Sequence, residues 1–145
     1  MGTPLPTTSE PASPVVKRWP AIGRAVARAR RDLAAVLSGW DLTALTDPAT
    51  LVLSELMTNS VRHGRVPGRE IETRYERVAD GLRLEVHDAN PVWPLMGKPA
   101  EGDEAGRGLL IVDTLTRGQW GVADRTGVGK RVWASITADQ DEETA

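Results

Sequence analysis

Apolar residues recur at helical spacing from Ile22 through Val26, Ala29, Leu33 and Val36, while Arg24, Arg28 and Arg31 fall on another face. This spacing predicts a first amphipathic helix that starts after Pro20 and stops at Ser38-Gly39-Trp40. A second helix is expected over residues 46–64, "TDPATLVLSELMTNSVRHG". There Asp47 can cap the free amides, Pro48 fits the first helical position, and His63 and Gly64 suit the last turn and the exit. The period then changes from helical to alternating. In "EIETRYERV", Ile71, Thr73 and Tyr75 oppose Glu70, Glu72 and Arg74. After Asp80-Gly81, Leu82, Leu84 and Val86 share one face of "LRLEVHDAN", so the two segments predict a hairpin.

Residues 89–105 hold prolines and glycines in a stretch too long for a simple connection, the kind that is usually functional or disordered. A short third helix is expected to begin at the Gly106-Arg107-Gly108 step, and "QWGVAD" and "KRVWASIT" give two more strands around the turn "RTGVG". The order helix, helix, strand, strand, loop, helix, strand, strand predicts an α+β domain: a two-layer sandwich with helices on one face of a mainly antiparallel sheet.

Composition narrows the class. The 145 residues are 40% hydrophobic and 26% charged, enough for one domain with its own core. Residues 1–14 read as a disordered leader rich in Pro, Ser and Thr, residues 15–138 as the domain, and residues 139–145 as a disordered acidic tail. Cysteine is absent, which excludes disulfides and thiolate metal sites. The net charge of −2 argues against a nucleic-acid binder. No signal peptide or membrane-spanning run is seen, so the expected setting is the cytoplasm. With two histidines, zinc hydrolysis is not expected, and neither a Walker phosphate loop nor a nucleophile elbow occurs.

Four features can carry chemistry. Glu55 and Asn59 lie one turn apart at the edge of the apolar face of the second helix, with His63 a turn further on. A shielded carboxylate needs a partner or a use, and an asparagine oxygen is a hard ligand that magnesium accepts. Taken alone, the pair is equally compatible with a solvated helix edge, and His63 with a cation closing its helix. Asp88 continues the core-facing row Leu82, Leu84, Val86 and can accept a hydrogen bond from a ligand amine, or simply start the turn. His87, on the opposite side, reads as surface. Gly106 and Gly108 allow close backbone approach where a helix N-terminus offers amides to phosphates, with Arg107 beside them. Lys130 follows a glycine turn into the last strand and reads as solvated, becoming a candidate phosphate contact only if the sheet brings it near those glycines.

In order, "ELMTN" on a helix, "VHDAN" ending a strand, a long loop and "GRGL" opening a helix resemble the GHKL ATPase superfamily. The chain is most similar to its stand-alone anti-sigma factors and serine protein kinases of actinobacteria and bacilli, over roughly residues 20 to 137. The resemblance implies a Bergerat-type sandwich that binds ATP with Mg2+. It implies that Glu55 is the general base, Asn59 the magnesium ligand and Asp88 the acceptor of the adenine amino group. Gly106, Arg107, Gly108 and Leu109 would hold the phosphates, Lys130 would contact the nucleotide, and residues 92–105 would form a short lid. The implied activity is phosphorylation of a STAS-type anti-anti-sigma protein, together with sequestration of a sigma factor, in a protein that often forms homodimers. The alternative is a non-catalytic ATP-binding module that acts by sequestration alone. The chain departs from many members in having Ala89-Asn90-Pro91 after Asp88, where glycines are common.

Overall fold

The computed structural model describes residues 13–92 and 104–138, with side chains in the second stretch described from Gly108 onward. The expected leader and tail therefore lie largely or wholly outside the described residues, as does most of the expected lid.

Five strands form one sheet: β1 (Val15–Trp19), β2 (Ile71–Val78), β3 (Gly81–Asp88), β4 (Trp120–Asp124) and β5 (Lys130–Thr137). They run in the order β1-β2-β3-β5-β4 with every neighbouring pair antiparallel. Three helices, α1 (Gly23–Gly39), α2 (Thr46–His63) and α3 (Glu104–Thr116), complete the α+β sandwich. The hairpin expected at Asp80-Gly81 is present, with Val78 paired to Gly81. Its core rows are those that alternation predicts: Ile71, Thr73 and Tyr75 on β2, and Leu82, Leu84 and Val86 on β3, are buried. Val132, Ala134 and Ile136 of β5 extend the same surface, against which Leu53, Leu56 and Met57 of α2 and Leu109 and Val112 of α3 pack.

Three local expectations are corrected. First, β1 was absent from the predicted element order. Its middle three side chains are exposed, so "VVKRW" shows no alternation; the strand is held by its backbone ladder to β2 and by Trp19 Nε1 donating to Thr73 Oγ1 at 2.9 Å. Second, α2 begins at Thr46 with Leu45 before it and no side-chain cap, because a 3-10 turn at Thr43–Leu45 leads directly into the helix. Asp47 thus lies inside the first turn, where its charge still suits the positive helix end. Third, the core row of α1 is Ala25, Ala29, Leu33 and Leu37, while Ile22 is exposed. The small alanines let α1 lie close to its neighbours.

The sheet face away from the helices carries charge rather than apolar surface. His87, read as surface from the sequence, is only 7% exposed. Its Nε2 lies 2.8 Å from Glu85 Oε1 and its Nδ1 3.9 Å from Glu72 Oε2. Arginine side chains cover this acidic layer: Arg83 donates twice to Glu85 Oε2 at 3.2 Å, and Arg74 donates to Glu72 at 3.3 Å. Arg83 also stacks over the Trp133 ring, 4.6 Å from its centroid. The His87 hydrogen bond, acting against the opposing effect of burial and aided by Arg83, pulls the Glu85 carboxyl down to about 2. A depressed carboxyl stabilises the fold above its unfolded value of 4.5, and that contribution disappears as pH falls toward 2. Urea unfolding between pH 5 and about 2 should therefore show stability falling with acid, and Glu85→Gln should flatten that slope.

Candidate functional site

The site is laid out along α2. Leu53, Leu56 and Met57 bury its core face, leaving Glu55 and Asn59 half-buried along one edge and Ser60 fully inside. At 1.5 Å per residue, Glu55 and Gly64 stand roughly 13 Å apart along the axis. Two clusters occupy the ends of that span.

At the Gly64 end stands Asp88, 2% exposed. The alternation that buries Leu84 and Val86 carries its carboxylate to the helix-facing side of β3, as the sequence predicts. Ser60 Oγ donates to Asp88 Oδ2 at 2.8 Å, while Lys130 Nζ at 2.8 Å and the Asn90 amide at 3.1 Å donate to Oδ1. Two glycines make room. A Cβ on Gly64 would stand 2.1 Å from Asp88 Oδ2, and one on Gly129 would stand 2.0 Å from the Asp88 carbonyl oxygen. Gly129 also has φ of +125°, which side chains rarely tolerate. Asn90 secures the start of the following loop: its Nδ2 donates to His63 O at 3.3 Å and its Oδ1 accepts from the Val92 amide at 2.9 Å. His63 itself is exposed and enters through its carbonyl alone among these contacts.

At the other end α2 meets the start of α3. This helix begins at Glu104, two residues before the predicted Gly106-Arg107-Gly108 step, so those three residues lie in its first two turns. The amides of residues 104–106 therefore have no partner within the helix and form its positive end, which includes Gly106 with Arg107 next to it in the chain. The Arg107 side chain is outside the described residues. Gly108 has a role different from the one read in sequence: a Cβ there would lie 2.6 Å from Glu55 Oε1. Its lack of a side chain lets the Glu55 carboxylate approach the N-terminal turns of α3. The Leu109 side chain is fully buried in the core and its amide lies inside the helix ladder, so neither is placed to hold a phosphate as expected.

Lys130 departs furthest from expectation. It is 5% exposed, and the β3–β5 register makes it the partner of Asp88. It thus belongs to the Asp88 cluster, which meets α2 at Ser60 and Gly64 and not at the Glu55–Gly108 contact, and is not solvated. Sequence reasoning also missed Ser60, Gly64 and Gly129. A hydroxyl in the buried row of α2 was the available signal for Ser60; the glycines are legible only once the strand register is known.

A half-buried carboxylate beside a helix N-terminus and a buried carboxylate at the far end of the same helix fit a ligand with an anionic end and an amine-bearing end. Asn59 stands on the edge between them, and its side-chain nitrogen is buried with no hydrogen-bond partner among the described residues. A half-turn of that amide presents its oxygen instead, so the position suits a magnesium ion that takes its remaining ligands from phosphates and water. Among the described residues no His, Cys, Asp or Glu cluster could hold a metal on its own, and no helix is long and apolar enough to cross a membrane.

Fold and site together define a nucleotide-binding α+β sandwich of GHKL type. The chain belongs to the histidine kinase-like ATPase domain family, whose model matches residues 19–136 and so spans both clusters. No curated protein matches the chain.

Substituting Gly108 tests the closeness of the two helices. Gly108→Ala should displace the Glu55 carboxylate by the few tenths of an ångström or more that a 2.6 Å contact demands. We expect roughly tenfold slower phosphate release or transfer from ATP, since small misplacements of a reacting group are costly. Nucleotide affinity, measured in parallel, should change by less than that.

Proposed function

We propose that this protein is an ATP-dependent serine/threonine protein kinase that modifies a STAS-type anti-anti-sigma protein and, as an anti-sigma factor, sequesters a sigma factor. The observation that carries this reading is the approach of Glu55 to Gly108 at the start of α3, with Asn59 one turn away on the same edge. Phosphoryl transfer requires a positioned acceptor, a base and neutralised phosphate charge.

In this reading Asp88 accepts a hydrogen bond from the adenine amino group, and the free amides at residues 104–106 receive the phosphates, with Arg107 next to them in the chain. Magnesium held by Asn59 would neutralise phosphate charge. Glu55 orients an incoming serine or threonine hydroxyl and takes its proton as the oxygen bonds to the γ-phosphorus and the bond to ADP breaks. The phosphorylated antagonist then no longer releases the sigma factor. A cytoplasmic setting and a homodimer accompany the proposal through the resemblance to stand-alone anti-sigma kinases. A module that only sequesters partners would have no use for Glu55 in this position.

Incubation with γ-labelled ATP, magnesium and STAS proteins tests the kinase reading. Label on a serine or threonine of one such protein is expected; label on none, with ATP bound, would reduce the protein to the sequestering alternative.

A further inference from the structure

We propose that Lys130 reads the N1 atom of the adenine ring, so that Lys130 and Asp88 together form a donor–acceptor pair matched to the edge of the base. The inference rests on the nucleotide-binding reading and assigns Lys130 a place in it other than a phosphate contact.

The backbone register sets up the pair. Asp88 and Lys130 are cross-strand partners at the open end of β3 and β5, and both continue the rows that face the helices. A lysine buried to this degree must be paired, because an isolated ammonium is strongly disfavoured away from water. Asp88 meets that requirement but does not exhaust the group. An ammonium has three N–H donors. One goes to Asp88 Oδ1 at 2.8 Å and one to the Asn90 carbonyl at 3.1 Å. The third has no partner among the described residues.

Asp88 shows the matching surplus. Its Oδ1 receives Lys130 and the Asn90 amide, whereas among the described residues its Oδ2 receives only Ser60 Oγ. A carboxylate oxygen accepts two hydrogen bonds, so Oδ2 retains one acceptor position. The pair therefore offers one open acceptor and one open donor side by side. Adenine carries a donor, its 6-amino group, next to an acceptor, N1. Guanine reverses that order along the same edge. An Asp88 that acted alone would read the amino group and leave N1 unrecognised.

Calorimetric titration with ATP, 1-deaza-ATP (N1 replaced by C–H) and 7-deaza-ATP, all with magnesium, tests the assignment. For the wild type, 1-deaza-ATP should bind roughly tenfold more weakly than ATP, a difference of about 1.4 kcal/mol, while 7-deaza-ATP binds like ATP. For Lys130→Met, ATP and 1-deaza-ATP should bind within twofold of each other. Equal binding of ATP and 1-deaza-ATP by the wild type overturns the inference, and that arm needs no variant to fold. A Lys130→Met protein that keeps the wild-type ratio overturns it as well. Failure of the wild type to bind ATP at all overturns the nucleotide reading together with this one, so the two failures are distinguishable.

Discussion

If the proposed kinase activity is present, Glu55→Ala is expected to lower phosphoryl transfer to the proposed STAS-type substrate by roughly a hundred- to ten-thousandfold, the range a positioned general base contributes. ATP affinity should stay within a few-fold of wild type, because the contacts assigned to ATP are Asp88 at the adenine and the α3 amides at the phosphates. Fold stability should be little altered: Glu55 is at the edge of α2, outside the apolar core formed by Leu53, Leu56 and Met57. Labelled transfer and calorimetry on the same preparation read the two effects separately. Transfer that survives the substitution would remove Glu55 from the role of base, and lost ATP binding would place it in the binding site instead.

The second large effect is expected at Asp88. In Asp88→Asn the amide oxygen can still face Lys130, but an NH2 group then replaces the acceptor that the adenine amine requires. Two donors would face each other, and ATP affinity should fall a hundredfold or more. The buried Lys130 would also lose its counter-ion. Breaking a buried pair by removing one partner costs about 3–5 kcal/mol, so a lower Tm is expected beside the binding loss. Asp88→Asn studied with Lys130→Met in the same chain should recover part of that stability without recovering ATP affinity.

The sheet and its hairpin were legible because they depend on alternation, which Leu82, Leu84, Val86 and Asp88 display within one short segment. The same periodicity put Glu55 and Asn59 on one edge of α2 and Asp88 on the helix-facing side of β3. Sequence did not reveal β1, since an edge strand with three exposed side chains can be held by backbone bonds alone. Lys130 was misjudged for a related reason. A lysine after a glycine turn is ordinarily solvated, and only the pairing of β3 with β5 brings it to Asp88. Gly64, Gly108 and Gly129 likewise have meaning through distant partners: each makes room for an atom of Asp88 or Glu55 that local sequence cannot place. His87 was taken for surface because it faces away from the helices, yet arginine side chains from β2, β3 and β5 cover that side of the sheet.

ATP is proposed to bind in one site between Asp88 and the start of α3. Calorimetric titration of ATP into the wild type and into Asp88→Asn and Asn59→Ala, with and without magnesium, tests that claim most directly. The predicted result is one saturable site that magnesium strengthens in the wild type. Asn59→Ala should lose the magnesium effect, and Asp88→Asn should lose most of the affinity. Unchanged ATP affinity in both variants, or no binding by the wild type, would contradict the account.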